Sequence, residues 1–222
     1  MNFWAELPVS TFELFVKGLL IGIVASAPMG PVGLLCIRRT MQKGRIYGLV
    51  TGAGAALSDL LYALMTGFGM SFVMDFIENE RNLFWLQLGG SAMLFLFGVF
   101  MFRSDPHVSN RPVSNNKGTL VHNFVPSFLI TFSNPLIIFL FIALFARFAF
   151  VVPEHPINQT FGYISILLGA MLWWTGLTYI VNKMSNSFGS KGIRRMNHTI
   201  GAIVLVVAIA GSIMTLFRLH VY

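Results

Sequence analysis

Apolar residues in this chain come in long runs, with polar residues gathered between them. A window of about 19 residues finds six such runs, at 11–35, 46–70, 83–102, 120–149, 161–181 and 199–217. Each is near or above the ~20 residues that a helix needs to cross ~30 Å of hydrocarbon. The pattern predicts an all-α polytopic membrane protein with six transmembrane helices. The fourth run is too long for one straight span, so it is expected to tilt, break or emerge on one side. The polar stretch 104–118 contains Pro106, Ser109, Asn110, Pro112, Asn115, Asn116 and Gly118. It reads as a linker between two three-helix halves, 1–103 and 119–222, of a single transmembrane domain covering 1–222.

The halves carry related features in the same order. The first span contains Ala27-Pro28-Met29-Gly30-Pro31, and the fourth, which opens the second half, contains Ser133-Asn134-Pro135. Gly54-Ala55-Ala56-Leu57 in the second span matches Gly169-Ala170-Met171-Leu172 in the fifth at the offsets of Gly, Ala and Leu. Three spans per half put the halves in opposite orientations, so the expected architecture is a 3+3 inverted repeat with a broken first helix in each half. Proline inside a helix removes a hydrogen bond to the carbonyl four residues back, and Pro28, Pro31 and Pro135 would free those of Val24, Ala27 and Thr131. In lipid, broken backbone survives where it is buried in protein or lines a cavity. Pro28, Gly30, Pro31, Asn134 and Pro135 are therefore expected to meet near the membrane centre and line one substrate cavity.

Composition agrees with the pattern. Hydrophobic residues make up 55% and charged residues 10%, with a mean hydropathy of +0.74. A soluble domain carries about a quarter of its residues as charges, so this chain cannot cover a water-facing surface. The single Cys36 excludes an intramolecular disulfide framework and any multi-cysteine metal site. The net charge of +7 would need a basic face on a folded module to serve nucleic acid, and here the bases sit between apolar runs.

Their distribution sets an orientation instead. Arg38, Arg39, Lys43 and Arg45 in the first connection, Arg103, Arg111 and Lys117 in the third, and Lys183, Lys191, Arg194 and Arg195 in the fifth share one side, against Lys17, Arg81, Arg147 and Arg218 on the other. Short loops rich in Lys and Arg stay in the cytoplasm. Both termini are expected outside, and these bases are expected to anchor the spans at the headgroups. Residues 1–10 lack the basic start of a signal peptide and include Glu6, so the first span is expected to be retained.

Asp59 is the one acidic residue well inside a predicted span, about thirteen residues or roughly 20 Å along it. A carboxylate at a helix centre costs ~2.5–3.5 kcal/mol, so it should face the bundle interior or water. No base lies at matching depth, which leaves protonation, a cation, or hydrogen bonds from Ser58, Tyr62, Asn134 or water. The functional reading is a carboxyl that exchanges a proton against a cationic or zwitterionic solute. Of the mid-span pair Trp173 and Trp174, one is expected to wall a cavity opposite Asp59 and the other to face lipid. Gly18/Gly22 and Gly48/Gly52 are spaced for close helix contact. No His/Asp/Glu spacing resembles a metal site, no Ser/His/Asp arrangement suggests an enzyme, and no cofactor is expected.

Ala27-Pro28-Met29-Gly30-Pro31, followed by Arg38-Arg39, Gly44-Arg45, Gly48, Gly52, Gly54 and Ser58-Asp59, resembles the amino-terminal signature of the lysine-exporter (LysE/RhtB) family. Asn134-Pro135 with Ile138-Phe139 and Ala143-Leu144-Phe145 is similar to that family's fourth-helix motif. The resemblance covers nearly the whole chain, and Met29 is an addition to the family's bare Pro-Gly-Pro. It implies a six-helix inverted-repeat bundle in the bacterial cytoplasmic membrane that exports amino acids or related small solutes, driven by the proton gradient. Pro28, Gly30, Pro31, Asp59, Asn134 and Pro135 carry over as the substrate and proton site. The expected partners are a small-molecule solute, protons and the lipid bilayer, and a homodimer is admitted. The competing readings are an inorganic-cation exporter and a non-transporting membrane subunit.

Overall fold

A computed structural model describes residues 11–28, 30–71, 80–103, 118–134, 136–151, 156–183 and 190–217. Within them the chain forms α1 (Thr11–Ser26), α2 (Pro31–Lys43), α3 (Arg45–Ser71), α4 (Glu80–Arg103), α5 (Leu120–Phe132), α6 (Leu136–Phe148), α7 (Pro156–Lys183) and α8 (Ser190–Leu216). No strand occurs among the described residues. The predicted linker, apart from Gly118, lies outside them.

Both expected breaks occur. The axes of α1 and α2 meet at 82°, and those of α5 and α6 at 71°. At the first break Pro31 takes the opening position of α2, where its missing N–H removes no helical bond. The first apolar run was expected to end near Leu35, but α2 continues to Lys43 and carries Arg38 and Arg39 inside a helix. It stops at Gly44, whose φ of +108° suits a residue without a side chain and whose N–H donates to Thr40 O at 3.2 Å. The chain then turns into α3 within that single residue. At the start of α5, Thr119 Oγ1 accepts the N–H of His122 at 3.3 Å and caps the helix.

Arg45–Met70 and Pro156–Lys183 are each long and apolar enough to cross a membrane, and each bent pair meets the same standard when taken as one span. Gln87–Leu96 and Gly201–Leu216 are shorter apolar helices. The distribution of polarity fits a lipid surround. Phe12 (75% exposed), Leu96, Leu172 and Val206 project outward, while Thr51, Ser58, Ser91 and Thr178 are buried. The chain is a polytopic, all-helical membrane protein.

Helices from the two ends of the sequence interlock. α1 packs along α7, α5 along α3, and α4 along α8, while α3 and α7 also touch each other. One apolar core joins Leu14 and Ile21 of α1 to Phe141 and Phe145 of α6 and Ile166 of α7. A second joins Cys36 and Ile37 of α2 to Ala55 and Ala56 of α3 and Trp174 and Val181 of α7. Glycine permits the closest approaches. A Cβ on Gly22 would strike the carbonyl oxygen of Ile166, and one on Gly169 would strike that of Leu19.

Candidate functional site

The first break delivers a hydroxyl to the buried acid. α1 ends at Ser26, after which Ala27 N–H donates to Ile23 O at 2.9 Å and Gly30 N–H to Pro28 O at 2.8 Å. Because the helix stops there, Ser26 lies at its tip against α3, and its Oγ donates to Asp59 Oδ2 at 2.8 Å. Both residues are 4% exposed. Ser26 was not among the donors anticipated for Asp59, which were Ser58, Tyr62, Asn134 and water, and the structure corrects two of those four. The Ser58 hydroxyl is buried without a partner, and the hydroxyl of Tyr62 is engaged elsewhere.

That engagement ties in the second break. Tyr62 Oη donates to Phe132 O at 2.6 Å, and its ring lies 5.6 Å from that of Phe132. Ser26 and Phe132 are the last residues of α1 and α5, so the first helix of each bent pair ends on one turn of α3. Asp59 and Tyr62 are separated along it by about 4.5 Å. The carbonyl of Thr131, expected to be free, accepts the N–H of Asn134 at 3.0 Å, because the chain turns tightly after Phe132.

The remaining predicted site residues separate into two groups. Pro28 is half-buried next to the Ser26 tip, whereas Gly30, Pro31 and Asn134 are exposed. A side chain added at Gly30 would meet nothing within 4 Å. Pro135 and Met29 lie outside the described residues. Among the described residues, no three His, Cys, Asp or Glu side chains come together.

Two buried features escaped the sequence reading. Arg39, expected at the headgroups, is only 7% exposed. Its Nη1 donates to Thr51 Oγ1 of α3 at 2.9 Å and to Asn123 O of α5 at 2.6 Å, while Nε is buried with no partner. Burial of a guanidinium depends on the rotational phase of α2 after the 82° bend, which no local pattern records. The tryptophans also differ from expectation. Trp174 is buried against Gly52, and Trp173 is half-buried between the two cores. Neither faces lipid outright; their neighbour Leu172, 60% exposed, does.

Comparison with known proteins adds a family and two relatives. A family model described as "LysE type translocator" matches residues 23–214. "Putative amino acid efflux protein YcgF" of Bacillus subtilis is 26% identical over 196 residues, covering 87% of this chain and 92% of its own length. "Uncharacterized membrane protein PA4757" of Pseudomonas aeruginosa is 29% identical over 147 residues, covering 64% of this chain and 65% of its own length. No solved structure gives a significant match.

Proposed function

The chain belongs to the LysE type translocator family, and from that premise we propose that it exports amino acids or related small solutes across the bacterial cytoplasmic membrane by proton antiport. The observation that carries this reading is the convergence of both bent helix pairs on the turn of α3 that holds Asp59. Discontinuous helices at corresponding positions of two halves are where transporters of this kind build substrate and ion sites. In this reading Asp59 exchanges the proton, and Pro28, Gly30, Pro31, Asn134 and Pro135 line the solute's path beside it. The amino acid efflux named for the Bacillus subtilis relative supports the solute class.

A six-span, 3+3 inverted repeat is part of the proposal. Exchanging the first four helices with the last four turns the α1–α7 contact into α5–α3, α6–α3 into α2–α7, and α1–α6 into α5–α2, and all six are present. The α1–α3, α2–α3 and α4–α6 contacts have no such counterparts among the substantial ones. Halves that rock against each other unmatch a contact that crosses between them, such as α4–α6, in any one state, whereas an unmatched contact within one half marks a difference in shape between the halves.

The mechanism follows from linkage. A proton drives the solute uphill only if its binding differs between conformations and depends on solute binding. Asp59 is suited to this because its Ser26 partner sits on the bent pair that would move. The test is Asp59→Asn in proteoliposomes loaded with the twenty amino acids under an imposed pH gradient. Wild type should release at least one amino acid uphill. The variant should insert and fold, lose gradient-driven release, and retain passive exchange. Wild type that moves none of the twenty would refute amino-acid antiport, and a variant that still concentrates solute at the wild-type rate would refute the role of Asp59.

A further inference from the structure

We propose that Arg39 is a substrate-binding residue that holds the carboxylate of the exported solute on the Nε/Nη2 edge of its guanidinium. The proposal rests on the exporter reading above and adds a site outside the turn around Asp59. A cation buried to this degree carries a desolvation penalty that neutral partners offset only in part. The described partners of Arg39 are a hydroxyl and a backbone carbonyl, both on Nη1. Nε has none. The edge left over is the one that takes a carboxylate side-on through two parallel N–H···O bonds.

No protein carboxylate is placed to fill it among the described side chains. Glu13 pairs with Lys17 at 2.6 Å, and Asp59 accepts from Ser26. Thr51, to which Arg39 is bonded, lies eight residues before Asp59 on α3, or about 12 Å along the axis. A direct Arg39–Asp59 salt bridge is therefore out of reach, and the two groups serve the solute at successive depths. Hydroxyls stand on the bonded side of Arg39: Thr51 Oγ1 accepts from Nη1, and Ser127 Oγ donates to the same Asn123 carbonyl at 3.3 Å. Arg38, Lys43 and Arg45 flank the same α2–α3 turn, a charge distribution that draws anionic groups toward this end. A solute's carboxylate is the counter-charge this arrangement lacks, and it is present only when cargo is bound.

The test uses the full chain in vesicles or nanodiscs of phosphatidylcholine alone, so that no anionic lipid supplies the charge. Wild type and Arg39→Gln are loaded with an equimolar mixture of the twenty amino acids, or with the same mixture as carboxamides. Loss of charge-assisted bonds should cut amino-acid release roughly tenfold to a hundredfold, leaving carboxamide release unchanged, so the acid-to-amide ratio collapses toward one. Arg39→Lys keeps the charge without the flat edge and should raise the half-saturating concentration at a near-normal maximal rate. It serves in place of Arg39→Gln if that variant does not fold. An unchanged acid-to-amide ratio, or equal loss of both cargoes, overturns the proposal and leaves Arg39 a structural clasp.

Thermal unfolding separates this result from failure of the exporter reading. If wild type releases neither mixture, amino acids should still raise its unfolding midpoint above that seen with carboxamides and leave Arg39→Gln unmoved. Equal midpoints for the two mixtures would overturn the carboxylate site as well.

Discussion

Ser26 and Tyr62 each make one hydrogen bond at the α3 turn, but their acceptors differ in kind. Tyr62 bonds a neutral carbonyl, and Ser26 bonds a carboxyl group. A neutral bond contributes ~0.5–1.5 kcal/mol and one to a charged group ~1.5–3 kcal/mol. Tyr62→Phe keeps the ring beside Phe132 and should lower unfolding stability in detergent by about 1 kcal/mol. Ser26→Ala should cost about twice as much, and only about 1 kcal/mol in an Asp59→Asn background. A double-mutant cycle with no coupling between positions 26 and 59 would contradict the Ser26–Asp59 hydrogen bond. Asp59 was legible in the sequence because an acid stands out in an apolar run. Its donor was not, because Ser26 is 33 residues away and reaches it only through tertiary packing. Arg39 was hidden among Arg38, Lys43 and Arg45, which have the same composition and a different burial.

At the level of elements, the breaks were readable because proline's missing N–H acts locally. Pro31 opens a helix, and the chain after Phe132 leaves the helical path. The bend angles and the reach of α2 to Lys43 were not readable, since both depend on what the second segment packs against. Glycine spacing showed a similar division. Gly18 and Gly22 marked α1 as a close-packing surface, while the identity of its partner, α7, needed the fold. Gly22→Ala should destabilise the protein by about 1–3 kcal/mol, because the added methyl meets backbone atoms that cannot yield. Gly176→Ala, where an added Cβ meets nothing within 4 Å, should be neutral or gain up to about 1 kcal/mol in helix propensity. Equal effects on detergent unfolding would contradict the α1–α7 seam.

For the whole molecule, the arrangement of bases predicts topology. Eleven of the 15 Lys and Arg residues fall on one side of the six-span reading, and from that bias both termini are expected outside. A periplasm-dependent reporter fused after Tyr222 should be active, and a cytoplasm-dependent one silent; the reverse pattern would overturn the orientation. The apolar runs made the membrane class and the helical content legible without any structure. How helices before and after residues 104–117 interlock was not legible, because a uniformly apolar helix gives no sign of which faces meet protein and which meet lipid. Small residues mark candidate faces, and only packing selects among them.

The α1–α7 seam has a consequence for synthesis. About 130 residues separate the end of α1 from the start of α7, which a ribosome adding 5–20 residues per second makes in roughly 6–26 s. Throughout that interval the glycine face of α1 has no α7 to close on, although the first bend gains its α3 neighbour once residue 71 is made. Lipid or the insertion machinery must shelter that face until residue 156 and those after it emerge. A nascent chain stopped short of α7 would therefore carry an open seam, the kind of surface by which membrane quality control distinguishes an unfinished protein from a finished one.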